Sequence, residues 1–343
     1  MSRDEEPFIL KPGVAEGQVK KIIGGAVDAT PPTTIALPSS GSILAASSVG
    51  VWHISEGSFY GTSTTASRIR SSTDAVAWTD KAFETENNVI AVASNTVLRL
   101  VANAIQRSTD GAATFSTVYS VGVAIVASPV ITFAVDGTSI YAAISISSGN
   151  AIQVVKSTDV GATWSVLQSS VAGCFGAPSI AASGSIIVIA QQFTGFPCAA
   201  SLSVSTNSGS TFADADIKCD GTVDVAGSDR SYTYPVVGGS TIYVNCREGS
   251  GALNGILQTV NGTTWTLALD TTSLADTQTV HAPVLPFFNN VSYTLYHAIG
   301  TNQIYSGLTL IYTTSASSAI GRMIQKSGSI YFGQNNRAVH IIQ

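Results

Sequence analysis

Five short stretches of the chain place a Ser or Thr hydroxyl two residues before an Asp or Asn. The clearest runs from Lys156 to Trp164 and reads KSTDVGATW. A carboxylate in such a position could serve as a general acid or base, which is the chemistry that a lone Asp offers most directly. The same residues could also build a tight turn, because Asp and Asn side chains accept hydrogen bonds from the backbone that follows them. The other copies of the pattern bear on this choice.

The pattern recurs at intervals of roughly 36 to 54 residues, and each copy ends in an aromatic residue, as in an array of similar structural units. The first copy contains Ser72, Asp74 and Trp78; the second Ser108, Asp110 and Phe115; the third Ser157, Asp159, Gly161, Thr163 and Trp164; the fourth Asn207, Gly209 and Phe212; and the fifth Asn261, Gly262 and Trp265. Asn keeps the acceptor oxygen of Asp but cannot perform its acid–base work. We therefore interpret these residues as structural and expect no catalytic residue among them.

The composition favours an all-β fold. Charged residues make up only 11% of the chain and glycine is frequent, with 31 copies. Short strand openings rich in β-branched residues mark the same units independently, and most follow a Gly or Asn. They begin at Ser42, Thr96, Ser139, Ser185, Thr241, Ser292 and Ser329. Four antiparallel strands per unit, repeated seven times, predict a seven-bladed β-propeller, with six blades as the alternative.

The third copy resembles the Asp-box, or BNR repeat, which occurs in sialidases, in other glycan-acting propellers and in propellers without enzymatic activity. The second copy departs from it by having Gly111 one place early and Phe115 in place of Trp. The fourth and fifth copies have Asn in place of Asp, and the first and fifth are one residue shorter before the aromatic. The resemblance implies turns on the rim of the propeller, far from the central funnel where ligands of the family bind.

The first 30 residues differ from the rest, since charged residues are concentrated there. We predict an extended N-terminal arm over residues 1–30 and a propeller over residues 31–343. The last unit has only three strands, so we predict that Val19–Val27 supplies its fourth and covers the open strand edge. We also expect the arm to dock on other protein subunits. The predicted docking residues are Arg3, Asp4, Glu5, Glu6, Phe8, Ile9 and Leu10.

A sialidase-like centre would need three arginines that hold a carboxylate, and the family marks the first of them with a Phe/Tyr-Arg-Ile-Pro sequence. No such sequence occurs here, and the nearest stretch, SRIRSST with Arg68 and Arg70, lacks the Pro. A triad from Arg230, Arg247 and Arg322 is the remaining candidate. We expect the chain not to be an enzyme, with sialidase-like hydrolysis as the alternative.

Other partners are limited by charge and by cysteine usage. The net charge is −5 and no basic run is present, which excludes an electrostatic footprint for nucleic acid. We expect no membrane span, no cofactor and no metal. The N-terminus lacks the apolar core of a secretory signal, so reduced thiols are the default expectation for the cysteines, with one or two disulfides as the alternative. These are Cys174, Cys198, Cys219 and Cys246.

Three functions fit these observations. The first is a non-catalytic interaction module of a larger, oligomeric or multi-protein assembly, and the Ser/Thr/Ala/Gly-rich composition with a charged arm resembles structural or receptor-binding proteins of bacteriophage tails and appendages. Its location would be the virion, or otherwise the cytoplasm. The second is a glycan-binding or glycan-cleaving propeller whose mouth carries Trp52, Tyr60, Tyr232 and Phe287, with a cell-surface glycan or receptor as partner. The third is an intracellular scaffold.

Overall fold

The computed structural model describes 28 strands and a set of turns between them. The described turn and connecting residues are 73, 95, 103, 109–115, 121–122, 137–138, 158–164, 184–185, 206–212, 215, 217–222, 239–240, 260–265 and 271–272. All strands belong to four-stranded antiparallel sheets, and the described residues form seven such sheets. The prediction of an all-β fold is therefore confirmed.

Six of the sheets are built from four strands that follow one another along the chain. The first contains β2 His53–Ser55, β3 Ser58–Ser63, β4 Arg68–Ser72 and β5 Thr79–Phe83. The second contains β6 Val89–Ala93, β7 Thr96–Val101, β8 Ala104–Ser108 and β9 Ser116–Ser120. The third contains β10 Thr132–Asp136, β11 Ser139–Ile146, β12 Ala151–Ser157 and β13 Ser165–Ala172.

The fourth sheet contains β14 Pro178–Ser183, β15 Ile186–Gln191, β16 Leu202–Ser205 and β17 Ala213–Asp214. The fifth contains β18 Arg230–Gly238, β19 Thr241–Glu248, β20 Asn254–Thr259 and β21 Thr266–Asp270. The sixth contains β22 Leu285–Asn289, β23 Thr294–Ile299, β24 Gln303–Ser306 and β25 Thr309–Thr313. The predicted strand openings at Thr96, Ser139, Thr241 and Ser329 each begin the second strand of a sheet, whereas Ser42 lies outside the described residues.

The seventh sheet joins the two ends of the described chain. It has the order β1-β28-β27-β26, with β26 Ile324–Lys326, β27 Ser329–Gln334, β28 Ala338–Ile342 and β1 Thr33–Ala36. Thr33 lies opposite Ile341 and Ala36 lies opposite Ala338. The strand beside β28 is therefore β1 and not the predicted Val19–Val27, whose residues lie outside the described part of the chain. Thr33, Thr34 and Ile35 are β-branched, which suits a strand.

Neighbouring sheets pack face to face through apolar side chains. One core cluster joins Leu98 and Leu100 of the second sheet to Ile140 and Val155 of the third. Similar clusters join the third sheet to the fourth and the fourth to the fifth. β2 of the first sheet contacts β6 of the second sheet and also β26 of the seventh sheet. Strands buried on both faces read as continuous apolar runs, as in the IIVIAQ sequence of β15.

The cysteines correct one expectation. Cys219 and Cys246 form a disulfide, with their Cα atoms 5.4 Å apart, although we expected reduced thiols. They are 27 residues apart in the sequence, and the segment after β17 brings Cys219 onto β19, where Cys246 lies. Cys174 and Cys198 lie outside the described residues. Among the described residues there is no helix with the length and apolar character that a membrane crossing requires.

Candidate functional site

The third recurring turn shows how the repeated polar residues are used. Ser157 Oγ donates to Asp159 Oδ1 at 2.8 Å and accepts the backbone N–H of Gly161 at 2.8 Å. Asp159 Oδ1 also accepts the backbone N–H of Thr163 at 2.8 Å, and Oδ2 accepts the Thr163 hydroxyl at 2.6 Å. Both carboxylate oxygens therefore hold the turn that contains them.

The second turn repeats this arrangement around Asp110. Its Oδ1 accepts the Ser108 hydroxyl at 2.7 Å and the backbone N–H of Thr114 at 2.9 Å, while Oδ2 accepts the Thr114 hydroxyl at 2.5 Å. Ser108 Oγ in turn accepts the backbone N–H of Ala112 at 2.9 Å. The common geometry agrees with the interpretation of these aspartates as parts of a turn.

The fourth and fifth turns make corresponding bonds with an amide. Asn207 Oδ1 accepts the Ser205 hydroxyl at 2.9 Å and the backbone N–H of Thr211 at 2.9 Å. Asn261 Oδ1 accepts the backbone N–H of Thr264 at 2.8 Å. The interaction with the Thr211 hydroxyl is reversed, because Asn207 Nδ2 is the donor there, at 2.8 Å. An acceptor oxygen is thus the shared requirement at this position, and a negative charge is not.

These hydrogen bonds favour the ionised form of both aspartates. The Thr163 hydroxyl, its backbone N–H and the Ser157 hydroxyl lower the pKa of Asp159 to about 2. The Thr114 hydroxyl, its backbone N–H and the Ser108 hydroxyl hold the pKa of Asp110 well below its usual range. A general acid working near neutral pH needs the opposite shift. Neither carboxyl has the protonation behaviour of a catalytic acid.

Two consecutive residues of each longer turn adopt a left-handed backbone. Val160 and Gly161 have φ of 56° and 78°, and Gly111 and Ala112 have φ of 70° and 68°. Ala112 therefore occupies the place of Gly161, which explains why the glycine of the second copy stands one position early in the sequence. A non-glycine residue tolerates this region at a cost, so the surrounding hydrogen bonds must hold it there.

The second, third and fourth turns also contact the sheet that precedes each of them. Arg107 Nε of β8 donates to the carbonyl of Val160 at 2.9 Å, and Gln168 Nε2 of β13 donates to the carbonyl of Ser210 at 2.6 Å. The backbone N–H of Ala82 on β5 donates to the carbonyl of Ala112 at 3.0 Å. These bonds join one sheet to the next at three successive interfaces, which assigns the turns a role between sheets as well as within them.

The aromatic residues that end the turns differ in their surroundings. Trp164 Nε1 donates to the carbonyl of Gly161 at 3.1 Å, and its ring lies against Phe133. The Arg99 guanidinium lies 4.0 Å from the centre of the Phe115 ring. Phe212 packs on the core between the third and fourth sheets. Trp265 ends the shorter fifth turn, and its buried Nε1 has no hydrogen-bond partner among the described residues.

Of the arginines considered for carboxylate binding, Arg70 is held by a neighbouring strand, and the backbone of Arg230 and Arg247 is paired within the fifth sheet. Arg70 Nε of β4 donates to Asp80 Oδ1 of β5 at 2.6 Å, and Arg70 is buried. Arg230 lies opposite Glu248, and Arg247 lies opposite Ser231. Arg322 and the predicted docking residues of the arm lie outside the described residues.

Two of the four aromatics considered for a glycan site belong to the core. Tyr60 is 3% exposed and Tyr232 is fully buried. The Tyr232 hydroxyl accepts the backbone N–H of Ile217 at 3.0 Å and donates to the Ile217 carbonyl at 2.5 Å. Neither ring is available to stack on a sugar. Trp52 lies outside the described residues, as do Asp74 and Trp78 of the first turn, while Ser72 of that turn is buried at the end of β4.

A cleft of about 450 Å³ lies beside the fifth turn. Residues of the fourth sheet and its turn line one part, among them Val204 and Thr206, and Gly262 and Trp265 of the fifth turn line another. Asp214 also lines the cleft, and burial raises the pKa of its carboxyl. The described lining residues include no Arg or Lys, so an acidic sugar would find no counter-charge there. Sequence reasoning missed this cleft, because its residues come from two neighbouring units.

We expected no metal site, and several of the described aspartates accept hydrogen bonds from their own turns. Asp220 Oδ1 accepts both the backbone N–H and the hydroxyl of Thr222, which lowers the pKa of Asp220. Within the described ranges, no group of three or more His, Cys, Asp or Glu side chains is arranged to hold a metal ion.

Comparison with known proteins supports the fold but assigns no family. Neither a protein-family model nor a curated protein matches the chain. Among solved structures, a catalytically inactive virginiamycin B lyase from Staphylococcus aureus with quinupristin is 13% identical, with a TM-score of 0.60, and the match covers 90% of this chain and 98% of that one. A streptogramin B lyase is 15% identical with a TM-score of 0.58, covering 90% and 96%.

An oligogalacturonate lyase in complex with manganese is 8% identical with a TM-score of 0.54, covering 90% of each chain. Several of these similar structures are enzymes, but at such low identity the likeness concerns the fold alone. They have propeller-like folds, and so the chain is an all-β protein of the β-propeller type.

Proposed function

We propose that this chain is a seven-bladed β-propeller with Asp-box turns that serves as a non-catalytic interaction module in a larger assembly. One observation carries the proposal: in the second to fifth turns, which the structure describes, the recurring polar residues are engaged by their own turns, and Asn replaces Asp at two of the positions and still accepts the backbone N–H. The seven four-stranded sheets and the contact of β2 with both β6 and β26 support a closed ring of seven blades.

We propose that this assembly is a virion, in which the chain is a tail or appendage protein with a structural or receptor-binding role. The support is compositional: few charged residues, abundant Ser, Thr, Ala and Gly, and charge concentrated in residues 1–30. The arm would dock the module on neighbouring subunits, with Phe8, Ile9 and Leu10 as apolar contacts and the adjacent charges as polar ones. The propeller would then bind a cell-surface receptor.

Mass spectrometry of purified virus particles from the source culture tests the virion proposal. We expect peptides of this chain in the particle fraction at a constant ratio to the major tail proteins. Their absence from particles, with the chain recovered only from the cell fraction, would contradict it. For the arm, light scattering of a mixture with the neighbouring tail subunit should show a complex for the full chain and none for a chain starting at Pro31.

The glycan-cleaving alternative is tested separately with a fluorogenic sialoside. We expect no hydrolysis above the rate of the heat-denatured protein. Hydrolysis by the wild type that disappears in Arg230→Ala and persists in Arg99→Ala would overturn the proposal, because Arg99 is bonded to Gln106 and stacked on Phe115 and is not a member of the predicted triad.

A further inference from the structure

The segment that leaves β17 is attached to both the fourth and the fifth sheet. The backbone N–H of Ala215 donates to the carbonyl of Leu202 on β16 at 2.9 Å, which holds the start of the segment on the fourth sheet. Two residues later, both backbone groups of Ile217 are bonded to the Tyr232 hydroxyl of β18. Cys219 then forms the disulfide with Cys246 of β19. The segment therefore bridges two neighbouring sheets.

Three adjacent strands of the fifth sheet are fitted to this segment by residues that lie side by side. Tyr232 is opposite Cys246, and Cys246 is opposite Gly255, so the three residues share one face of the sheet. Tyr232 supplies a hydroxyl to the segment and Cys246 supplies a sulfur, whereas Gly255 has no side chain. A Cβ at Gly255 would lie 3.1 Å from the Cys219 carbonyl oxygen and 2.6 Å from Leu267 Cδ1. The place of Cys219 is thus set by several contacts besides the sulfur bond.

The disulfide is also enclosed. Cys219 is 2% exposed and Cys246 is fully buried. A reductant reaches a disulfide by in-line attack of a thiolate on one sulfur, so burial of both sulfurs protects the bond in the folded protein. Cys219 and Cys246 also belong to the core cluster between the fourth and fifth sheets. Such a bond has the surroundings of a permanent structural link and lacks those of an exposed, regulatory one.

From these contacts we infer that Cys219–Cys246 is a permanent link between the fourth and fifth sheets, and that the protein works where disulfides are not reduced. The bond forms when a disulfide oxidant, such as oxidised glutathione, accepts two electrons from the two thiols and is released as two glutathione thiols. The inference does not rest on the proposed function. It favours an extracellular assembly or surface over an intracellular scaffold, because the cytosol keeps thiols reduced.

Peptide mapping of the wild-type chain tests the inference directly. The protein is folded with a mixture of oxidised and reduced glutathione, alkylated with iodoacetamide under denaturing conditions, and digested with trypsin without reduction. Cleavage after Lys218, Arg230 and Arg247 gives two peptides, Cys219–Arg230 and Ser231–Arg247, with one cysteine each. We expect them linked, at the sum of their masses less two hydrogen atoms. Recovery of both peptides with one alkyl label each would overturn the inference.

A second measurement asks whether the bond is permanent. Millimolar dithiothreitol should leave the linked peptide intact in the native protein and release it in urea. The Cys219→Ala/Cys246→Ala double variant should melt about 5 °C lower than the wild type, from the loss of a loop-closing bond. Tyr232→Phe is the matched control. It removes the β18 hydroxyl that bonds Ile217 of the same segment, and it should keep the linked peptide. Rapid reduction of the native protein, or an unchanged midpoint in the double variant, would contradict a permanent link; if the double variant does not fold, the peptide map decides alone.

Discussion

Asp159 and Asn207 make nearly the same hydrogen bonds although only one of them can ionise. Each accepts the backbone N–H four residues on and the hydroxyl two residues back. They differ at the second side-chain atom, which accepts a threonine hydroxyl in Asp159 and donates to one in Asn207. Because a hydroxyl can both donate and accept, it adjusts to either partner.

The first prediction follows from that exchange. Asp159→Asn should keep the turn and melt close to the wild type at pH 7, because the amide oxygen still accepts the backbone N–H of Thr163. Asp159→Ala should melt clearly lower, since it leaves Ser157 and Thr163 without their shared acceptor. Thermal unfolding followed by circular dichroism measures both, with Asn207→Asp as the reciprocal control. Equal losses in the Asn and Ala variants would show that the charge matters.

The second prediction concerns acid. The pKa of Asp110 and of Asp159 is lower in the folded chain than the ordinary value near 4 in the unfolded chain. The folded state therefore binds fewer protons, and the stability that these groups contribute is fully present above about pH 4. It is lost as the pH falls toward about 2, where Asp159 titrates.

Urea unfolding between pH 2 and pH 6 measures this dependence. The Asp110→Asn/Asp159→Asn double variant should lose less stability between pH 4 and pH 2 than the wild type does. Asp80→Asn serves as the control, because its carboxylate bonds Arg70 outside the turns. A double variant whose pH profile is as steep as that of the wild type would contradict the assignment.

At the scale of elements, the turns determine how closely one sheet approaches the next. A Cβ at Gly161 would lie 2.7 Å from Leu98 Cδ2, on β7 of the preceding sheet. Gly209 and Gly262 repeat the relation, with Leu167 of β13 and Thr206 of the fourth turn as their nearest neighbours. The glycine thus serves two purposes: it permits the left-handed backbone and it leaves room for the neighbouring sheet.

The third prediction separates those two purposes. Gly161→Ala should destabilise the protein by roughly 2 to 4 kcal/mol, combining backbone strain at φ 78° with overpacking against Leu98. Gly184→Ala is the matched control: its φ is 60° but nothing lies within 4 Å of the added Cβ, so roughly 1 kcal/mol is expected. Chemical denaturation supplies both values.

A double-mutant cycle with Leu98→Ala completes this test. Removing the leucine methyl groups should lessen the cost of Gly161→Ala by roughly 1 kcal/mol, since the added methyl then enters the space they leave. Additive losses in the double variant would show that Leu98 is not the group that opposes a side chain at Gly161.

The strands were more predictable than the residues that join them. The four strands of the fifth unit follow from its alternating β-branched residues and its turns at Gly239 and Asn261. The equivalence of Ala112 with Gly161 could not be read from the sequence, because the bonds from their backbone N–H groups to the Ser108 and Ser157 hydroxyls, and not the residue type at the position itself, hold the left-handed backbone there. The Cys219–Cys246 pair depends on where one connecting segment crosses the next sheet, which no local pattern encodes.

At the scale of the whole molecule, the seventh sheet cannot be completed by strands that are neighbours in the sequence. Its strands β26, β27 and β28 come from the end of the chain, and β1 comes from the beginning. Without β1, β28 would present an open edge of unpaired N–H and C=O groups. The β1–β28 ladder closes the sheet and links residues that lie some 300 positions apart along the chain.

The last prediction locates this closure by truncation. A chain that begins at Pro31 keeps β1 and should melt close to the full-length protein, whereas a chain that begins at Leu37 loses β1 and the four residue pairs it makes with β28. Loss of those pairs should cost roughly 2 to 4 kcal/mol, counted as four backbone hydrogen bonds. Calorimetry of the three chains measures the difference, and added Thr33–Ala36 peptide should restore part of it at millimolar concentration. If the chain from Pro31 melts as low as the chain from Leu37, the closing contact lies before residue 31, where Val19–Val27 would supply it; if all three melt alike, the β1–β28 ladder contributes nothing to closure.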